Sequence, residues 1–412
     1  MEANVSNIDF KVVEELESLT HHEVIAHIKA FAKDCPLSAP ILHWGETSAF
    51  VIDNTDIIIN KQALELIIKK LYKLIKILVN FCEKHKDLAT LAFTHLQVAQ
   101  PTTVGKRGAL WLNSLLTDFI EIIHVIDGLK LRGAQGTTGS GASFKKLGIS
   151  FSDYQIINQF IAKDFNFKSS YKITSQTYDR KIDVLVSMVL VQVGVSSHKI
   201  TNDLRLLQHF KEISEPFGSS QVGSSAMPYK RNPILSERIS SLAKFVMALE
   251  NSTVLVASTQ WLERTLDDSA NKRLVLPQMF LTIDSILELF IKIFTNIIVF
   301  PDIINSNLQK ELPFLLSENI LMEHVTNGGD RQEGHERLRV LAMKAFNEMQ
   351  GGSGVNKLLK YIQEDPFFKI KEETINDMLN ENLTGFASEQ VSNFIQAEVM
   401  PIIEKYNYLE NS

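Results

Sequence analysis

The sequence predicts an all-α fold centred on a bundle of long helices. Three observations predict it. Apolar residues recur at spacings of three and four over stretches longer than an ordinary globular helix. No long alternating strand pattern interrupts them, and short Gly, Ser and Thr clusters mark the joins.

From Asp56 to His85, the side chains of Leu64, Ile67, Ile68, Leu71, Leu74, Ile75, Leu78 and Phe81 share one helical face. Asp53, Asn54 and Thr55, just ahead, are residue types that cap a helix start. Comparable stretches run from Val104 to Leu131, Tyr178 to about Phe210, Pro233 to about Ser258, and Asp267 to Ile298. Pro277 is predicted to kink the last of them. Alone, each helix leaves an apolar stripe in water, so side-by-side packing completed by other subunits is the expected solution. The clusters Gly133–Ser143, Gln221–Ala226 and Gly351–Gly354 read as loops. After Phe300 the pattern changes to shorter pieces broken by Pro301, Pro313, Gly328, Gly329 and Pro366. The resulting division is an N-terminal helical region over 1–47, a central long-helix bundle over 48–299 and a C-terminal helical domain over 300–412.

Composition narrows the function. The 412 residues are 45% hydrophobic, more than one compact core usually serves. A net charge of −6, from 42 basic and 48 acidic side chains without a long block of either sign, argues against general nucleic-acid attraction. Any phosphate-bearing ligand then needs local basic groups. Cys35 and Cys82 stand far apart, so neither a disulfide framework nor a thiolate metal site is indicated, and a reducing cytoplasm fits. Met1–Ser18 lacks the basic start and apolar run of a signal peptide. The most apolar stretch, Val184–Val195, is interrupted by Ser187 and Gln192 and falls short of the roughly twenty residues of a membrane span. It reads as a buried core helix, with no membrane association.

Five segments are candidates for chemistry. In Gly223–Pro233, small hydroxyl residues run into a helix opened by Pro233, and backbone amides with Lys230 can receive an anion. A capped helix after a Ser-rich linker is the plainer reading. Thr94–Thr103 sets His95 among amides and hydroxyls, where an imidazole can exchange protons or serve structurally. Arg264, Ser269 and Arg273 can grip a phosphate, or the arginines can pair with Asp267 and Asp268 on a solvated face. Gly133–Gly141 lacks the Lys of a phosphate-binding loop and reads as a connection. The run from His21 to His27 misses a zinc motif because Ala26 stands where a second His is required, so no metal site is indicated.

Together these segments resemble the fumarase and aspartase superfamily of lyases. Gly223–Pro233 matches its Gly-Ser-Ser-x-Met-Pro-x-Lys-x-Asn-Pro loop at every fixed position. The Tyr229–Pro233 ending, Thr94–Arg107 and the Glu263–Asn271 run are similar to the adenylosuccinate lyase family, over nearly the whole chain. The family's N-terminal segment lies ahead of the point where this chain begins, so the resemblance implies an N-terminally shortened member. It also implies a three-region all-α lyase fold, and a β-elimination that releases fumarate from adenylosuccinate and from the succinylated aminoimidazole carboxamide ribotide. By the same carry-over Ser224 would be the general base, and Lys230 and Asn232 would hold the carboxylate that takes up charge. His95 would be the general acid, oriented by Glu237, and His22 a further active-site histidine. Thr47, Ser48, Thr94 and Gln176 would bind the succinyl carboxylates, with Arg264, Ser269 and Arg273 on the phosphate and Arg238 a further substrate-binding position. The family forms homotetramers with sites shared between subunits, and its chemistry requires neither cofactor nor metal. Glu23 and Glu46 stand where the family usually has Asp and a small residue. Alternatives are another superfamily lyase, such as an argininosuccinate lyase, or a catalytically silent homologue.

Overall fold

The computed structural model describes residues 8–410 except Ser219, Val222, Ser224, Ser225 and Asn382. The predicted all-α fold is present. Helices α1 (Phe10–Thr20) and α2 (Glu23–Asp34) lead into the 38-residue α3 (Ser48–His85). A hairpin of β1 (Ala89–Thr94) and β2 (Gln97–Thr103) precedes α4 (Val104–Gly128). Then follow α5 (Ala142–Lys146), α6 (Phe151–Asp164), α7 (Lys181–His209), β3 (Ile213–Ser214), α8 (Ile234–Ser258), α9 (Asp268–Asn296) and β4 (Ile298–Val299), which pairs antiparallel with β3. The remainder is α10 (Pro301–Thr326), α11 (Arg331–Glu348) and the shorter α12 (Leu358–Glu364), α13 (Glu372–Asn380), α14 (Ala387–Phe394) and α15 (Met400–Lys405).

Two compact units result. The first comprises Met1–Leu71, Thr117–His198 and Ser240–Leu287; the second comprises Tyr72–Leu116, Lys199–Ile239 and Glu288–Ser412. In the first, the predicted face of α3 buries Leu64, Ile67, Ile68 and Leu71, while α7 buries Val186, Val189, Leu190 and Val193, and α9 buries Met279, Ile283 and Ile286. Where α7 and α8 carry hydroxyls inside this core, they satisfy each other: Ser187 and Thr253 lie 2.8 Å apart. In the second unit Phe81 stacks on Trp111 with ring centres 6.2 Å apart, and the Trp111 indole donates to Asp203 at 2.7 Å. Leu312, Leu316, Ile320, Leu338, Leu358 and Phe368 form a further apolar cluster there.

Several boundaries depart from the sequence reading. Helix α3 starts at Ser48, so Asp53 and Asn54 lie inside it, buried. They cap nothing: Asn54 Nδ2 donates back to the Phe50 carbonyl at 2.8 Å inside the helix, and its Oδ1 accepts from the Gly133 amide at 2.9 Å. Helix α9 continues through Pro277 and α10 through Pro313. Pro301 instead opens α10, where its missing N–H costs nothing. By length and composition α4, α7, α8 and α9 are each long and apolar enough to cross a membrane. The run Val184–Val195 falls short of a span by itself but lies within the longer α7, and it is mostly buried, with Leu185, Met188 and Val195 exposed.

The loop Gly133–Gly141 is a packed connection. At Gly133 and Gly139 φ is +76° and +78°, and a Cβ would stand 2.2 Å from Asn158 Oδ1 and 2.1 Å from the Thr174 carbonyl respectively, so only glycine fits.

Candidate active site

In the first unit a cavity of about 620 Å³ gathers His22, Ser48, Gln176, Arg264, Ser269 and Arg273, with Glu23 at its wall. Helix α9 supplies Ser269 and Arg273 from its first turns; α3 supplies Ser48 at its start. Gln176 is the junction. Its Oε1 accepts from Arg264 Nη1 at 3.0 Å, its Nε2 donates to Thr47 Oγ1 at 3.5 Å, and its backbone N–H donates to the Glu263 carbonyl at 3.3 Å. Two hydroxyl side chains, one amide and two guanidinium groups thus converge, a set suited to an anionic ligand. Arg264 and Arg273 are not paired with Asp267 and Asp268 on a solvated face. Arg273 instead meets Glu23 at 2.9 Å, and Asp268 is fully buried.

His22 caps α2: its Nδ1 accepts the Ile25 amide at 3.4 Å, so in the neutral ring the proton sits on Nε2. His43, with left-handed backbone at φ 65°, was not singled out from the sequence. Burial and then the charge of His22 hold its imidazole below the ordinary histidine range.

Glu46 does not place a free carboxylate in the cavity. Its Oε2 lies 3.3 Å from Arg132 Nη1, and both side chains are buried. Burial raises the Glu46 carboxyl above the usual carboxylate range, partly opposed by Arg132. Arg132 also donates from Nε to the Gln176 carbonyl at 2.9 Å, and to the carbonyls of Gly133 and Gly136 at 3.0 and 2.6 Å. No sequence signal marked Arg132, because its partners come from three separate segments.

The second unit carries the remaining candidates. His95 and Leu96 form the two-residue tip of the β1–β2 hairpin, with Thr94 opposite Gln97. Both tip residues have positive φ, 55° and 57°, where Asn-Gly is the favoured pair, so an exposed histidine is held there against local preference. Lys230, Glu237 and Arg238 are exposed. Asn232 Nδ2 donates to the Gly223 carbonyl at 3.1 Å and closes the base of the loop. Glu215, another residue the sequence did not reveal, is buried and caps α8 by accepting the amides of Leu235 and Ser236 at 3.0 and 2.7 Å. It thereby fixes the start of the helix that carries Glu237 and Arg238. A recess of about 570 Å³ beside them is lined by Arg205, His209, Arg231 and Glu237. Among the described residues no hydrogen bond or ion pair joins His95 to Glu237. Ser224 lies outside the described residues.

A family model described as "Lyase" matches residues 12–248, and one described as "Adenylosuccinate lyase C-terminus" matches residues 313–394. Among solved structures, the fumarate lyase from Mesorhizobium sp. BNC1 superposes with a TM-score of 0.80 at 20% identity, covering 95% of this chain and 86% of that one. The 3-carboxy-cis,cis-muconate lactonizing enzyme from Pseudomonas putida gives 0.79 at 22%, covering 94% and 85%. At those identities the likeness concerns the fold. Fold and family model together define a lyase of the fumarase and aspartase superfamily.

Within that class the sequence relatives are more specific. Adenylosuccinate lyase from Schizosaccharomyces pombe is 40% identical over 95% of this chain and 82% of its own length. The enzymes of that name from Saccharomyces cerevisiae and Schistosoma mansoni are each 41% identical, over 95% and 98% of this chain and 81% and 85% of their own. The chain belongs to the adenylosuccinate lyase family and is a carbon–nitrogen lyase, as the resemblance implied.

Proposed function

We propose that the chain releases fumarate by β-elimination from adenylosuccinate, giving AMP, and from the succinylated aminoimidazole carboxamide ribotide, as one step of purine nucleotide biosynthesis. The observation that carries this reading is the convergence of Ser48, Gln176, Arg264, Ser269 and Arg273 at one cavity, with Thr47 bonded to Gln176 behind it, in a chain of this family. The arginines and Ser269 hold the nucleotide phosphate; Thr47, Ser48, Thr94 and Gln176 hold the succinyl carboxylates.

Ser224 removes the proton next to a succinyl carboxylate, and Lys230 and Asn232 stabilise the charge that builds there. His95 protonates the departing nitrogen and Glu237 orients its ring, with His22 and Arg238 at the substrate. The exposed hairpin tip carrying His95 suits a group that acts on a ligand held elsewhere. No cofactor or metal takes part, because the substrate carboxylate accepts the electron pair.

We also propose a homotetramer with shared sites, in a cytoplasmic, soluble protein without nucleic-acid or membrane partners. Exposed Leu110, Leu185, Phe245, Leu274 and Leu281 on the long helices support subunit packing. The division at 47/48 and 299/300 is kept as a proposal for the regions of each subunit.

Proton NMR of adenylosuccinate incubated with the purified protein tests the reaction. Equimolar fumarate and AMP are expected, and likewise fumarate from the ribotide. Intact substrate after prolonged incubation with folded protein would refute the reading.

A further inference from the structure

We propose that Arg180 is a positioning residue for the substrate cavity, the centre of a buried hub that holds in register the three segments bearing Ser48, Gln176 and the Arg264, Ser269 and Arg273 group. The proposal rests on the functional reading above.

Arg180 is 2% exposed and fully engaged. Its Nη1 and Nη2 fork onto Asp53 at 3.2 and 3.1 Å, and its Nε donates to Asp268 at 2.6 Å. The guanidinium also lies over the Tyr178 ring, 4.4 Å from its centre. Asp53 accepts the Tyr178 amide at 3.0 Å, and Lys272 reaches both Asp53, at 3.7 Å, and Asp56.

Every hub residue sits close in sequence to a cavity residue. Asp53 and Asp56 follow Ser48 on α3. Tyr178 and Arg180 follow Gln176, and Asp268 and Lys272 immediately precede Ser269 and Arg273 on α9. Neighbouring helical residues point about 100° apart, so on α9 one face grips the hub while the adjacent face presents Ser269 and Arg273. A shift of Arg180 is therefore transmitted to all three segments at once.

Stability alone gives weak grounds for such an arrangement. Buried ion pairs rarely outperform packed apolar groups, whereas their directional bonds can fix a unique geometry. The hub also carries more carboxylates than cations. Asp183 stands beside it, accepting the Tyr178 hydroxyl at 2.6 Å, and burial raises its carboxyl to about 6, partly opposed by Arg180.

Arg180→Lys keeps the charge and loses the fork, and Asp268→Asn keeps the shape and loses the charge. Each is expected to fold, to raise KM for adenylosuccinate by roughly tenfold or more, and to leave kcat within about threefold. Hydrogen exchange should quicken in residues 45–52, 174–180 and 264–273 without a matching change in 331–380. Wild-type KM with unchanged exchange, a uniform rise in exchange, or failure of both variants to fold would each overturn the positioning role. If the wild-type chain does not cleave adenylosuccinate, the functional reading fails, while the exchange comparison still decides the hub.

Discussion

Arg264 donates to Gln176 at 3.0 Å, and Gln176 in turn lies 3.5 Å from the Thr47 hydroxyl, so one amide side chain links an arginine ahead of α9 to a threonine ahead of α3. This relay orders a cationic and a neutral donor around the same space before any ligand enters. Gln176→Ala removes the link and frees Arg264 to wander. A charge-assisted hydrogen bond of this kind contributes about 2 kcal/mol, so kcat/KM should fall roughly thirtyfold. Steady-state kinetics check this, and an unchanged kcat/KM would remove Gln176 from the site.

The buried Glu46–Arg132 pair predicts a stability effect. Glu46→Ala leaves Arg132, itself fully buried, without its counter-charge, and the loss of one partner of such a pair costs on the order of 3 kcal/mol. Denaturant unfolding should show that loss. Because Arg132 also holds the Gln176 carbonyl, KM should rise together with it.

How much of this was legible in the sequence depends on how local each signal is. The bundle could be read because the periodicity of Leu64, Ile67, Ile68 and Leu71 is written within two turns of helix. The start of α3 was misplaced because Asp53 and Asn54 look like caps, whereas their bonds go to Arg180 and Gly133 in other segments. The β1–β2 hairpin was missed for a related reason: His95-Leu96 lacks the Asn-Gly chemistry that announces such a turn. Arg264, Ser269 and Asn232 could be proposed as site residues because each stands in a recognisable loop. Arg132, Arg180 and Glu215 could not, since each is defined by partners that only the fold brings near.

Two buried carboxyls set a pH dependence. Burial pushes Asp118 up to about 7, with the Ser196 hydroxyl only partly opposing it, and pushes Asp183 up to about 6. The folded chain therefore keeps protons that the unfolded chain has released. Their stabilising contribution is complete below the unfolded pKa of about 4, is lost as pH rises through about 7, and stays low above it. Asp118→Asn cannot ionise, so its Tm should fall less than the wild type's between pH 5 and pH 8. Parallel Tm curves would contradict the assignment.

His95 sits where backbone strain and proposed chemistry coincide, and the two can be separated. Asparagine tolerates the left-handed conformation, so His95→Asn should preserve the turn and the Tm. It cannot protonate a leaving nitrogen, and kcat should drop by about 100-fold to 10,000-fold. A variant with near wild-type kcat would assign the acid elsewhere.

The most direct measurement is the ultraviolet change as adenylosuccinate becomes AMP and fumarate, recorded for the wild-type chain and for Ser224→Ala under the same conditions. Turnover by the wild type that vanishes in the variant is the predicted result. Equal turnover by both would contradict the role of Ser224 as base, and absence of turnover by a folded wild-type protein would contradict the proposed elimination itself.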